Sequence, residues 1–159
     1  MSQPMTQHLA QLNIGRLRYE LDDPRLADFI DNLARVNAIA ERSEGFVWRL
    51  QDETGNATNI RAFADPRMAV NMSIWEGVEA LEKYVWQTVH ARFYGRRTEW
   101  FEHLDRPYLV MWWVPAGHRP TIEEALGRLD HLRVHGPSEH AFGWDGIAGA
   151  QLWKTARCA

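Results

Sequence analysis

The stretch Asn71-Met72-Ser73-Ile74-Trp75-Glu76-Gly77 constrains the fold more than any other part of this chain. An alternating run ends there on a tryptophan and turns at once into an amphipathic pattern, with Val78, Leu81, Val85 and Val89 at helical spacing. A strand that passes directly into a helix fixes the direction of both, because the helix must return over the sheet to bury its apolar stripe. The residue at the junction, Trp75, is a packing anchor, a pocket wall or a redox participant; residue type alone leaves all three open.

Other elements arrange themselves around this one. Residues 8–17 set Ala10, Leu12 and Ile14 against Leu9, Gln11 and Asn13, the period of a strand. Asp22-Asp23-Pro24 supplies a cap and an initiating proline for a helix through Leu26, Phe29, Ile30, Leu33, Val36 and Ala40, ending near Glu44-Gly45. Residues 46–51 read as a second strand with Phe46, Trp48 and Leu50 on one face, followed by the turn residues Thr54-Gly55-Asn56. Residues 59–63 read as a short extra strand or an irregular loop, and 69–75 as the next strand. Phe93, Arg97, Trp100 and Leu104 extend or restart the helical pattern after a break. Residues 108–114, between Pro107 and Pro115, are apolar on both faces, as in a strand covered on each side. Thr121 and Glu124 have the spacing of a capping box for a last helix through Ile122, Ala125, Leu126 and Leu129, ending at Gly136-Pro137.

Strand, helix, strand, strand, helix, strand is the order of a ferredoxin-like α+β sandwich with an antiparallel sheet. It predicts one domain over residues 1–137, including the terminal helix, and a partly ordered tail over 138–159, which Trp144 and Trp153 are placed to dock. Helices cover one face of such a sheet, yet the last strand is apolar on both. A second copy of the sheet would cover the other face, giving a symmetric homodimer around a cavity enclosed by two sheets.

The chain has 159 residues, 45% of them hydrophobic, enough for a core without covalent staples. Eight tryptophans are many for this length, and each buried indole needs a partner for its N–H. A net charge of −3 supplies no footprint for nucleic acid or an anionic membrane. The single cysteine, Cys158, excludes an internal disulfide. The first residues lack the apolar stretch of a secretory signal, and the longest apolar run, 109–116, is too short to cross a bilayer. The expectation is a soluble cytoplasmic protein.

Phe46-Val47-Trp48 after Glu44-Gly45, together with Ser73-Ile74-Trp75-Glu76 ahead of a helix, resembles the antibiotic biosynthesis monooxygenase-like superfamily of dimeric α+β barrels over about residues 8–115. Leu12-Asn13-Ile14-Gly15-Arg16-Leu17, Phe46-Val47-Trp48-Arg49-Leu50-Gln51 and Trp112-Trp113-Val114-Pro115-Ala116-Gly117-His118-Arg119-Pro120-Thr121 look more narrowly like a bacterial branch known only as a domain of unknown function, to about residue 142. The superfamily includes cofactor-independent quinone-forming monooxygenases and haem-degrading ones. Their sites resemble an asparagine on the first strand with a tryptophan and a histidine on the second helix. The resemblance implies Asn13 and His90 for the first and last places and Trp75 or Trp86 for the tryptophan, although the helix spacing departs from that of the haem-degrading members.

The residues themselves support a site of this kind. Asn13 lies opposite Ala10, Leu12 and Ile14, so in a two-sheet barrel its amide points into the cavity and orients a carbonyl or phenol. His90, near the helical break, suits a general base, or an axial ligand if haem binds. Trp75, Trp86 and Trp112 furnish aromatic walls for a flat ligand. Arg97, with Arg92, Arg96 and Tyr94, offers cations to a carboxylate or phosphate, though a solvated helical face explains these charges as well. His131 and His135 have metal-ligand spacing but no third ligand in the sequence, so no metal is expected. Phosphate loops, paired-cysteine zinc patterns and nucleophile elbows are absent. Three functional readings stand: a monooxygenase-like enzyme acting on a small aromatic substrate without an obligatory cofactor, a non-catalytic ligand-binding or scaffold protein, and a haem-binding or haem-degrading protein.

Overall fold

In the computed structural model, which describes residues 7–52, 57, 60 and 62–146, β1 (Gln7–Arg16) is the central strand. It pairs antiparallel with β3 (Met68–Trp75) on one side and β4 (Leu109–Pro115) on the other, and β2 (Phe46–Arg49) completes a four-stranded sheet of order β2-β3-β1-β4. This order, with helix α1 (Ala27–Arg42) between β1 and β2 and helix α2 (Val78–Gln87) between β3 and β4, is the ferredoxin-like arrangement that the sequence predicts. The register sets Leu9 opposite Trp75, Gln11 opposite Ser73 and Asn13 opposite Asn71. Directly opposed residues share a sheet face, so these six side chains lie on one side and Ala10, Leu12, Ile14, Val70, Met72 and Ile74 on the other.

The helices α1 and α2 lie over the first of these faces, where Leu9, Trp75, Met111, Leu81 and Tyr84 form one core cluster. Asp23 starts this layer: its carboxylate accepts from Arg25 N at 2.9 Å, Pro24 occupies the first position of a 3-10 turn (Pro24–Leu26), and α1 follows. Gly45, at φ +83°, turns the chain from α1 into β2, and a Cβ there would sit 2.4 Å from the Ala80 Cβ of α2. That position combines a left-handed backbone with close approach of a helix, and only glycine satisfies both.

The second face is covered by the chain itself. Helix α5 (Ile122–His135) packs Ala125, Leu129 and Leu132 against Ala10, Leu12 and Trp112. The uncovered face that argued for a second copy of the sheet therefore does not exist where α5 lies. Thr121 caps this helix, its Oγ1 accepting from Glu124 N at 3.1 Å, and Gly136 closes it at φ +76°. The Glu124 carboxylate does not return to the cap as a full capping box would; it accepts from Trp112 Nε1 at 3.2 Å and contacts His118 Nε2 at 2.8 Å.

Past α5 the chain folds back along β4, where Met111 and Phe142 exchange backbone hydrogen bonds of 2.7 and 3.0 Å. Phe142 is fully buried and Trp144 packs on Trp86, so the tail is held at least as far as this point. Trp153 and the turn Thr54-Gly55-Asn56 lie outside the described residues, and no strand forms among the described residues between 57 and 67.

Strand β2 departs from strict alternation. The register shifts between Phe46, opposite Trp75, and Trp48, opposite Ile74. This bulge parts the three residues expected on one face: Phe46 joins Trp75 on the helix side, whereas Trp48 and Leu50 pack with the α5 layer. Arg49, opposite Ser73, consequently comes to the helix side.

Candidate active site

A cleft of about 1260 Å³ is lined by the helix-side face of the sheet and the helices, and it extends round the sheet to Ile14, Leu50, Met68, Val70 and Leu132 of the α5 side. Its floor is polar. The Gln11 amide donates to Asn71 Oδ1 and Ser73 Oγ, both at 2.8 Å, while Asn13 Nδ2 donates to Gln11 Oε1 at 3.2 Å and Asn71 Oδ1 at 3.4 Å. Trp75 Nε1 donates to Ser73 Oγ at 2.9 Å, so the indole at the strand end is tied to the same network. Arg49 stands beside Ser73 on β2 and lines the cleft.

One wall is a run of rings. Phe46 meets Trp75 edge-on at 5.4 Å, Trp75 stacks on Tyr84 at 5.1 Å, and Tyr84 meets the His90 ring at 5.0 Å. Thr88 places the last member. Its Oγ1 donates to Tyr84 O at 2.6 Å, closing α2, and accepts from His90 N at 3.2 Å, opening α3 (Val89–Gly95). The sequence pattern runs the first helical piece through Val89, but the structure breaks it earlier, at this threonine, and Val89 opens α3. Beyond it a single turn, α4 (Arg97–Trp100), ends the helical layer, and Trp100 joins Leu17 and Leu26 in a cluster at the end of the sheet.

Electrostatics distinguish the two polar rings of this wall. Burial raises the Tyr84 phenol well above the ordinary tyrosine range against a smaller opposing effect of Arg49, so it is neutral at physiological pH. Its hydroxyl donates to Val36 O at 3.3 Å. Burial likewise pushes His90 below the ordinary imidazole value, a backbone contact with Val85 partly opposing it. That contact joins Nδ1 to Val85 O at 3.3 Å. A carbonyl oxygen only accepts, so Nδ1 carries the hydrogen and Nε2 carries the lone pair. Nε2 has no hydrogen-bond partner among the described residues.

The cleft brings together Asn13, His90, Trp75, Trp86 and Arg97. Asn13 does so from the helix side of a single sheet rather than from inside a two-sheet barrel, because its face is the one that α1 and α2 cover. Trp75 and Asn13 therefore share a face, the one that α1 and α2 cover, and both line the cleft. Trp86 packs between Tyr94 at 5.0 Å and Trp144 at 5.9 Å, and its buried Nε1 lacks a partner among the described residues. Arg97 is exposed, with its guanidinium 4.0 Å from the Tyr94 ring centre. Arg96 turns elsewhere, to Asp28 and Glu99, and Arg92 with Arg35 flanks a separate shallow depression.

Trp112 is a correction. One residue of register places it opposite Ala10, on the α5 side, where it is core rather than cleft wall. Sequence reasoning also passed over Gln11, Arg49, Ser73 and Tyr84. Alternation with Leu12 does mark Gln11, but nothing in the sequence announces the bulge that redirects Arg49. The rings of His131 and His135 lie 4.6 Å apart with His140 packed on His131, yet among the described residues no group of His, Cys, Asp and Glu is arranged to hold a metal. None of the described helices is long and apolar enough to cross a membrane.

Among solved structures, the chain is similar to PA3566 from Pseudomonas aeruginosa, with 13% identity and a TM-score of 0.46 over 73% of this chain and 100% of the other. It is similar to SnoaB from Streptomyces nogalater, described as a cofactor-independent oxygenase, with 15% identity and a TM-score of 0.44 over 71% and 96%. A putative antibiotic biosynthesis monooxygenase from Chloroflexus aurantiacus gives 13%, 0.41, 72% and 98%. No curated protein matches the sequence. A family model matches residues 8–158, nearly the full length, and by that match the chain belongs to the family described as domain of unknown function (DUF3291).

Proposed function

We propose that the cleft binds a flat, largely apolar aromatic molecule and that His90 Nε2 takes a proton from it, opening an oxygenation that requires no bound cofactor. The observation that carries this reading is the His90 geometry: a half-buried imidazole kept neutral, its tautomer fixed by Val85, at the end of a wall of stacked rings. Such a nitrogen is a competent general base near neutrality. The rings offer a flat ligand its stacking surface.

Loss of a proton from an activated position of an electron-rich ring leaves a carbanion or phenolate able to pass electrons to dioxygen. When a ring CH2 becomes a carbonyl, four electrons leave the substrate and dioxygen accepts four. One oxygen atom ends in the carbonyl and the other in water, so the balance needs no further reductant. Asn13 uses its Nδ2 within the floor network, which leaves its Oδ1 to accept from a ligand hydroxyl. Trp86 Nε1 supplies a donor in search of an acceptor. A homodimer of the kind the resemblance implies would have to pair outside the sheet surface that α5 occupies.

The test is titration with 1,8-dihydroxyanthrone while reading tryptophan fluorescence and oxygen uptake. Saturable quenching is expected, with uptake above the buffer rate that falls by about 10²-fold or more in His90→Ala, the usual range for a general base. Quenching without enzyme-dependent uptake would instead support a non-catalytic binding protein, and absence of quenching would reject an aromatic site altogether. Added haemin distinguishes the haem reading, since a Soret band that disappears in His90→Ala would favour it.

A further inference from the structure

The β2 bulge sets a guanidinium at the floor of an otherwise aromatic cleft. The Arg49 side chain is only 10% exposed, and its ion pair with Glu41, a half-exposed residue of α1, is long at 3.6 Å. The register neighbour of Arg49 is Ser73. The Ser73 oxygen accepts from Gln11 Nε2 and Trp75 Nε1, which occupies both lone pairs. The hydroxyl hydrogen has no acceptor among the described residues, so Ser73 is held as a donor. Trp75, which donates to Ser73 and stacks on Tyr84, places this pair beside the ring wall.

We infer that Arg49 and Ser73 together read an oxyanion, so that the aromatic ligand of this cleft carries an acidic oxygen, a carboxylate or an ionised phenol. This rests on the cleft being the ligand site, as proposed above, and adds the ligand's charge. A guanidinium and a hydroxyl donor, both removed from water, favour an anion over a neutral ring of the same shape, since charge-assisted hydrogen bonds are stronger than neutral ones. The apolar body of the ligand then lies along Trp75 and Tyr84.

The experiment compares two matched pairs by tryptophan quenching and calorimetry: 1-naphthoate against 1-naphthamide, and a nitrophenol at a pH where it is ionised against its methyl ether. The wild-type protein should bind at least one anion about tenfold or more tightly than its neutral partner, as expected for a hydrogen bond to a charged group. Which pair responds tells carboxylate from phenolate. Arg49→Met should abolish the preference, lowering the anion's affinity about tenfold or more relative to the neutral compound's. Arg49→Lys should retain part of it, and Ser73→Ala should reduce it. Equal binding within both pairs in the wild type, or an Arg49→Met protein of normal stability that keeps the preference, would overturn the inference while leaving the aromatic cleft intact. Failure of all four compounds to bind would overturn both. The wild-type comparison and Arg49→Lys keep the test decisive if Arg49→Met does not fold.

Discussion

His90 Nδ1 donates to the carbonyl of Val85 at 3.3 Å, across the junction of α2 and α3, and this one bond decides which ring nitrogen is basic. The tautomer follows from the acceptor-only nature of a carbonyl. The protonation state follows from burial, which lowers the imidazole's affinity for a proton.

Acid should weaken the fold through this residue. The folded His90 binds a proton less readily than an unfolded one, whose pKa is about 6.5, so the unfolded chain holds more protons below that value. Its contribution is complete above about pH 6.5 and is lost progressively as pH falls toward the lower folded value. Urea midpoints measured between pH 5 and 8 should show a slope in this window that His90→Gln diminishes. An unchanged slope would mean that His90 is not depressed.

Thr88→Ala should cost about 1 kcal/mol, the usual value of a lost helix cap. Because Oγ1 serves both Tyr84 O and His90 N, the substitution should also loosen the His90 ring. Thr88→Ser keeps the hydroxyl and should restore both stability and ring position, read by denaturant unfolding and by the histidine NMR signals.

Gly45→Ala meets two obstacles, a φ of +83° and a Cβ contact of 2.4 Å with Ala80. The expected loss exceeds about 1 kcal/mol, the cost of glycine-specific backbone together with overpacking. Adding Ala80→Gly should recover the steric share only. Full recovery in the double variant would show that the backbone contributes nothing.

Trp75 and Trp112 should separate binding from stability. Trp112→Phe removes the indole donor to Glu124 on the α5 side and should cost about 1 kcal/mol, the worth of one hydrogen bond, with aromatic binding unchanged. Trp75→Phe releases Ser73 Oγ at the cleft floor and should weaken binding. The reverse pattern in denaturation and fluorescence titrations would mean that the two faces have been exchanged.

These residues also mark how far the sequence alone reaches. Period-2 alternation places Asn13 and Gln11 together opposite Ala10, Leu12 and Ile14, because side-chain direction in a strand is set by the backbone itself. It does not say which layer each face meets. The apolar stripe of the last helix is equally compatible with packing on its own sheet or elsewhere, so α5 was expected as a terminal helix and not as the cover of the second face. Arg49 was hidden for a different reason: a bulge is a pairing irregularity between two strands, and Phe46, Trp48 and Leu50 taken alone alternate perfectly. Tyr84 sits on the helix flank that turns toward Trp75, one position from the apolar stripe that periodicity picks out.

The most direct measurement is the side-chain 15N spectrum of His90, assigned with His90→Gln, at neutral pH with and without a bound aromatic such as 1,8-dihydroxyanthrone. A neutral ring protonated at Nδ1 is predicted, with the Nε2 resonance shifting on addition of the ligand. A ring that is charged at pH 7, carries its hydrogen on Nε2, or is indifferent to a ligand shown by fluorescence to be bound would contradict a cleft in which His90 is the base.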